Sequence, residues 1–232
     1  MYNVGLLEVY AIMNRKNRAI EIITLLKQYT SAMEPPMVSV LINKFGRDPF
    51  IVLIGCLLSL RSKDIATLPI CIELFTQARL PQDILAMSIE SLEKMFYTLG
   101  FYKKKSHLLH YVCRDLINRF DGNVPSDETA LLSIKGVGRK TANLVLGEGF
   151  GIPSICVDTH VHRISNRLGL VSTQTPAETE TELKLILPRN YWIEWNRLIV
   201  MWGQNVCVPI SPWCSRCALC DKCERVSVTV FR

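Results

Sequence analysis

Gly136-Val137-Gly138 is the stretch that most limits what this chain can become. Before it, Ser126 followed by Asp127 and Glu128 reads as an N-cap with acidic residues in the first helical turn. A short helix is therefore expected through Leu131, Leu132 and Ile134. After it, Arg139 to Leu146 holds no breaker and offers Leu144, Val145 and Leu146 for burial. The pattern predicts helix, tight hairpin, helix, because glycine turns sharply without a side-chain penalty. The first N–H groups of the second helix lack intrahelical partners and point outward, which makes a seat for a phosphate. Lys140 stands just inside that helix. A Gly-x-Gly pair alone also fits a plain turn, so its meaning depends on what accompanies it.

The rest of the chain reads as all-α, since no strand-like alternation of useful length occurs. Residues 1–17 say little. Arg18 to Tyr29 is a one-sided helix, with Ile20, Ile22, Ile23, Leu25 and Leu26 apolar, ending before Pro35-Pro36. Asp48-Pro49 caps the next helix, which is apolar nearly all round through Ile51 to Leu58 and must be buried. The chain turns polar at Ser59-Leu60-Arg61-Ser62-Lys63-Asp64, where side chains from Arg61 onward either face a ligand or form a solvated helix end.

Helices are expected at Ile65 to Thr76, Pro81 to Met87 and Ile89 to Leu99. A loop Gly100 to Lys105 then carries three lysines, solvated or holding a phosphate, and an amphipathic helix runs from Lys105 to Phe120. Asp158 begins another helix, Thr159 to Leu168, with Gly169 as its stop. Thr175-Pro176-Ala177-Glu178 is a capping box opening a helix that Pro188 closes. The last long helix carries Trp192, Trp195, Ile199 and Trp202 at core spacing.

With 232 residues, 49% of them hydrophobic, the chain can bury one core or two small ones. No run is long enough to span a bilayer, and the expected place is the cytoplasm, on the nucleoid in a bacterium. A formal charge of +6 fits a polyanionic partner without requiring one. Of nine cysteines, Cys56, Cys71, Cys113 and Cys156 lie among apolar neighbours and read as core. Cys207, Cys214, Cys217 and Cys223 follow the spacing Cys-x6-Cys-x2-Cys-x5-Cys, with Cys220 extra. Four thiolates suit either zinc or a 4Fe–4S cluster, and ligand chemistry does not choose between them.

The string Ile134-Lys135-Gly136-Val137-Gly138-Arg139-Lys140-Thr141-Ala142, followed by Val157-Asp158-Thr159-His160, resembles the helix-hairpin-helix DNA glycosylases, and within them the bifunctional endonuclease III type. The resemblance extends over nearly the whole chain. It implies a six-helix barrel over residues 42–152 carrying the hairpin. A cluster domain would be made of residues 153–232, with residues 1–41 packed on it, and the catalytic pair would face a cleft between the two. It implies Lys140 as the nucleophile that forms a Schiff base and Asp158 as the catalytic carboxylate. It also implies a 4Fe–4S cluster on Cys207, Cys214, Cys217 and Cys223. The expected partner is double-stranded DNA with a damaged base or an abasic site, bound by a monomer through Arg61, Lys63, Gly136, Val137, Gly138, Arg139, Thr141 and His160.

Two positions depart from the family pattern. Lys135 stands where proline is usual, and Arg61 where the best-known members have a glutamine that fills the gap in the base stack. Arginine offers donors only, so guanine's O6 suits it better than adenine's amino group. Two other readings remain: a monofunctional or mismatch-directed glycosylase of the same fold, which typically lacks the lysine, and a non-enzymatic DNA-binding module, which would need neither Lys140 nor Asp158.

Overall fold

The computed structural model describes residues 3–232, with side chains from residue 9 onward, and every regular element among the described residues is helical. In chain order the α-helices are α1 (Asn3–Thr30), α2 (Met37–Phe45), α3 (Pro49–Ser59), α4 (Asp64–Gln77), α5 (Pro81–Ala86), α6 (Ile89–Met95), α7 (Tyr102–Phe120), α8 (Glu128–Leu132), α9 (Arg139–Leu144), α10 (Thr159–Arg167), α11 (Pro176–Ile186) and α12 (Trp192–Asn205). They group into two compact units, Pro36–Ser154 and, together, the residues up to Pro35 with Ile155–Arg232.

The unit Pro36–Ser154 is built around α3. Asp48 caps that helix by accepting from the Phe50 N–H at 2.8 Å, and Pro49 takes the first position, where its missing N–H costs nothing. Phe50 to Leu58 are all buried, as an apolar surface on every side of a helix requires. Leu41 from α2, Leu74 and Phe75 from α4, and Leu109, Val112 and Leu116 from α7 belong to the same core. Truncating Leu41, Leu74, Leu109 or Leu116 to alanine is expected to cost about 2–5 kcal/mol. α9 runs on into a π-helical turn, Val145–Gly149, and both pack on α3. The approach is close enough that a Cβ at Gly149 would lie 2.9 Å from the Pro49 Cα.

The other unit has its own core. Ala19, Ile22, Ile23 and Leu26 of α1, spaced for one helical face, share it with Val161 and Ile164 of α10 and Leu183 and Ile186 of α11. Trp195, Ile199 and Trp202 of α12 are buried there too. At the start of α11, Thr175 Oγ1 accepts from the Glu178 N–H at 3.2 Å while the Glu178 carboxylate accepts from the Thr175 N–H at 3.4 Å, the reciprocal capping box.

Several local expectations shift. α1 extends well before Arg18, and α2 was not anticipated at all. The cap of α8 is Asp127 rather than Ser126, its carboxylate accepting from the Ala130 N–H at 2.8 Å. The helix after the hairpin changes to π geometry at Val145, and α7 starts at Tyr102, so Lys103 to Lys105 are helical rather than looped. Lys105 is buried. Cys56, Cys71, Cys113 and Cys156 are buried thiols, as their apolar neighbours require. Among the described residues no helix is long and apolar enough to cross a membrane.

Candidate functional site

α8 ends at Leu132, Ile134 drops into the core, and the chain reverses at Gly136 with φ +88°. An L-residue is strained there, and a Cβ would meet Leu108 Cδ1 at 2.8 Å. Val137 is buried and donates its N–H to the Ile134 carbonyl at 3.0 Å, which closes the hairpin. Gly138 is extended (φ −96°, ψ 174°), and nothing lies within 4 Å of where its Cβ would stand. It is the N-cap of α9 and brings no side chain to cap it; the first bond of that helix is Ala142 N–H to Gly138 O at 2.9 Å.

Arg139 and Lys140 are exposed, whereas Thr141 and Val137, both expected at the DNA, are buried at 3% and 6% exposure. The charge of Lys140 reaches α3. Burial pushes the Cys56 thiol up to about 12, and the Lys140 ammonium draws it back in part. Lys135 lies with its ammonium 5.0 Å from the centroid of the Tyr111 ring.

Arg61 and Lys63 lie on the turn between α3 and α4. Arg61 is left-handed (φ 55°), and its guanidinium stands 5.5 Å from the centroid of the exposed Phe101 ring. Lys63 is exposed, and its carbonyl accepts from the N–H groups of Ala66 and Thr67, starting α4. Phe101 belongs to the aromatic pair Phe101-Tyr102 that precedes the three lysines, and the sequence alone did not join it to Arg61.

Asp158 opens α10 in the other unit. One carboxylate oxygen, Oδ1, accepts from the N–H groups of both His160 and Val161 at 2.9 Å, which fixes the direction of the charge. His160 Nδ1 lies 3.2 Å from Arg163 Nη2, and the same guanidinium nitrogen donates to the Cys207 carbonyl at 2.8 Å. Burial lowers the pKa of Arg163, while Cys207 and Asp158 act in the opposite sense.

Cys207, Cys214, Cys217, Cys220 and Cys223 line one pocket, together with Trp213, Val206, Val228, Arg167 and Arg225. Cys207, Cys214 and Cys223 each raise the pKa of at least one of their neighbours, and Cys217 feels all three. Of the cysteines whose shifts are resolved, only Cys214 feels Cys220. Burial is the main cause in each case and takes Cys217 to about 11.

Cationic and amide donors already face the sulfurs. Arg167 Nη1 is 3.4 Å from Cys207 Sγ, the Arg225 N–H is 3.4 Å from Cys223 Sγ, and Arg225 Nη2 is 2.8 Å from Cys220 Sγ. Arg167 also donates to the carbonyls of Val208 and Pro209, holding the loop between the first two cysteines. Among the described residues, no three His, Cys, Asp or Glu side chains converge on a point that would hold a single metal ion.

Residues 54–189 match the model of the HhH-GPD superfamily of base excision DNA repair proteins. The endonuclease III of Thermotoga maritima is 44% identical over 182 residues, covering 78% of this chain and 85% of that protein. That of Escherichia coli is 33% identical over 176 residues, 76% of this chain and 83% of that one. A solved endonuclease III in a non-covalent complex with DNA superposes with a TM-score of 0.80 at 31% identity, covering 90% of this chain and 95% of the other. The hairpin at Gly136, the buried α3 beneath it and this breadth of match lead to one assignment: the chain belongs to the endonuclease III family of the HhH-GPD superfamily.

Proposed function

We propose that this protein is a DNA glycosylase with AP lyase activity that removes damaged pyrimidines from double-stranded DNA. The observation that carries the reading is an exposed lysine, Lys140, in the first turn of a helix whose start has no side-chain cap. A damaged nucleotide must leave the stack before its sugar can be attacked, and a damaged pair unpairs at lower cost.

The Lys140 amine, once neutral, forms a bond to the anomeric carbon as the glycosidic bond breaks and the base departs with a proton. The ring opens to a protonated Schiff base, and loss of a C2′ proton expels the 3′ phosphate by β-elimination. An ordinary lysine is almost fully protonated at neutral pH, so the amine must lose a proton first. The helix start, Arg139 and the exclusion of water by bound DNA all favour that loss. Asp158 supplies negative charge for the positive sugar, and its orientation is set by the two amides it caps. The hairpin amides and Arg139 grip phosphate, and Arg61 meets the base left unpaired, favouring guanine over adenine. Such a reaction requires the protein to work on DNA, which agrees with a cytoplasmic location, on the nucleoid if the source is bacterial.

The cysteine pocket fits a 4Fe–4S cluster on Cys207, Cys214, Cys217 and Cys223. Four thiols lining one pocket, with the Arg167 guanidinium directed at Cys207 Sγ and the Arg225 backbone N–H at Cys223 Sγ, suit an anionic thiolate-bound centre. When bound, it would tie the Cys207–Cys223 loops to α10. Borohydride trapping on duplexes bearing different pyrimidine lesions tests the reaction, and no trapped adduct on any of them would end the lyase reading. Metal analysis tests the pocket: iron is expected, retained in Cys220→Ser and lost in Cys217→Ser. Zinc instead of iron, or the reverse pattern in the two variants, would overturn the ligand set.

A further inference from the structure

Lys105 is the unexpected member of the Lys103–Lys105 run. Lys103 and Lys104 are exposed, but Lys105 is 5% exposed, and its Nζ donates to Ser62 Oγ at 2.7 Å. Burial lowers its pKa, as expected for an ammonium taken out of water. Stability alone gives no reason for the choice, because an apolar side chain of similar length would avoid the desolvation cost.

The position of Ser62 supplies a reason. It follows Arg61 in the turn between α3 and α4, where the Ser62 N–H donates to the Ser59 carbonyl at 3.0 Å. Arg61 is left-handed there, a conformation that an L-residue keeps only when its surroundings enforce it. Forty residues later Phe101 is left-handed as well, at φ 60°, one residue before α7 begins. The two turns touch at Gly100, where a Cβ would lie 3.3 Å from the Arg61 carbonyl oxygen. The Arg61 guanidinium then stands over the Phe101 ring, and both side chains face outward. One part-buried polar bond and one glycine contact thus join two strained turns and leave an arginine–aromatic pair on the surface.

We propose that Lys105 is a positioning residue for DNA recognition: through its hydrogen bond to Ser62 it holds Arg61 and Phe101 as one stacked unit facing the DNA. This rests on the reading of Arg61 as the side chain that meets the unpaired base, and it adds what fixes that side chain in place. A guanidinium already stacked on a ring has fewer rotamers to lose on binding, so its preference among partner bases is sharper.

The test is single-turnover β-elimination on duplexes with one abasic site opposite guanine or adenine, read as the ratio of the two rates. The parent is expected to favour guanine by about fivefold or more, and Arg61→Gln to bring the ratio close to unity. Ser62→Ala should lower the ratio to about twofold or less, and Ser62→Thr, which keeps the hydroxyl, should restore it. Lys105→Met should lose the preference while melting no lower than the parent, a combination that a purely structural lysine would not produce. A parental ratio in both Ser62→Ala and Lys105→Met, with Arg61→Gln altered, overturns the positioning role and leaves the reading of Arg61 standing. An unaltered ratio in Arg61→Gln overturns both.

Discussion

Two helices in this protein begin at the residues to which chemistry is assigned, and they begin in opposite ways. α9 starts at Gly138, which has no side chain, and the space where its Cβ would be is open. α10 starts at Asp158, whose single oxygen takes two of the first N–H groups at 2.9 Å. The first helix leaves its positive end to whatever approaches from outside; the second satisfies it internally with a fixed negative charge. An open start suits a residue that must meet DNA and change its protonation, and a closed start suits one that must keep its charge in place.

The sharpest break in the comparison comes from Lys140, which acts from the open start. Lys140→Gln should abolish borohydride trapping entirely while duplex binding stays within a few-fold, because the hairpin amides and Arg139 remain. Trapping at the parental level would remove Lys140 from the reaction. At the closed start, Asp158→Asn keeps a capping side chain and removes the charge. The single-turnover rate should fall by about 10²- to 10⁴-fold with the melting temperature unchanged. A normal rate would reduce Asp158 to a cap, and a large drop in melting temperature would mean that the charge itself holds the helix.

The elements read well from the sequence are those whose signal is local. α3 announced itself through Asp48-Pro49 and an unbroken apolar run, and α11 through its capping box. The Gly-Val-Gly turn and the cap at Asp158 needed only neighbours within a few residues. α2 was hidden because Met37-Val38-Ser39-Val40 follows two prolines and is rich in β-branched residues, so its helicity comes from burying Met37, Val38 and Leu41. The π turn after α9 has no residue signature beyond its glycines, and the close approach of Gly149 to Pro49 becomes visible only in the fold. Arg163 and Arg167 lie on one face of α10, yet nothing local says that they serve a cysteine loop some 40 residues away. Lys105 failed for the same reason, because its partner is 43 positions distant.

The two hairpin glycines separate the cost of the turn from the use of the open end. Gly136→Ala places an L-residue at φ +88° and a methyl 2.8 Å from Leu108 Cδ1. The strain alone is about 1–3 kcal/mol, and each kcal/mol lowers the melting temperature by about 2–4 °C in a chain of this size. A thermal midpoint equal to the parent's would mean that the hairpin reverses elsewhere.

The smallest effect is expected at Gly138, and it bears most directly on the open helix start. Its backbone is extended, a conformation open to any residue, and no atom lies within 4 Å of the missing Cβ. Gly138→Ala should therefore fold normally, at a cost below about 1 kcal/mol for the poorer cap. The added methyl would stand at the mouth of the first turn of α9, where a phosphate would need to approach the amides. One weakened hydrogen bond there is worth about 1 kcal/mol, or roughly fivefold in duplex affinity. The prediction is thus a loss of binding without a matching loss of stability, measured by titrating an abasic duplex and by thermal melting of the same preparation. Parental affinity in Gly138→Ala would place the phosphate away from the hairpin, and α9 would then be open only because glycine happens to precede it.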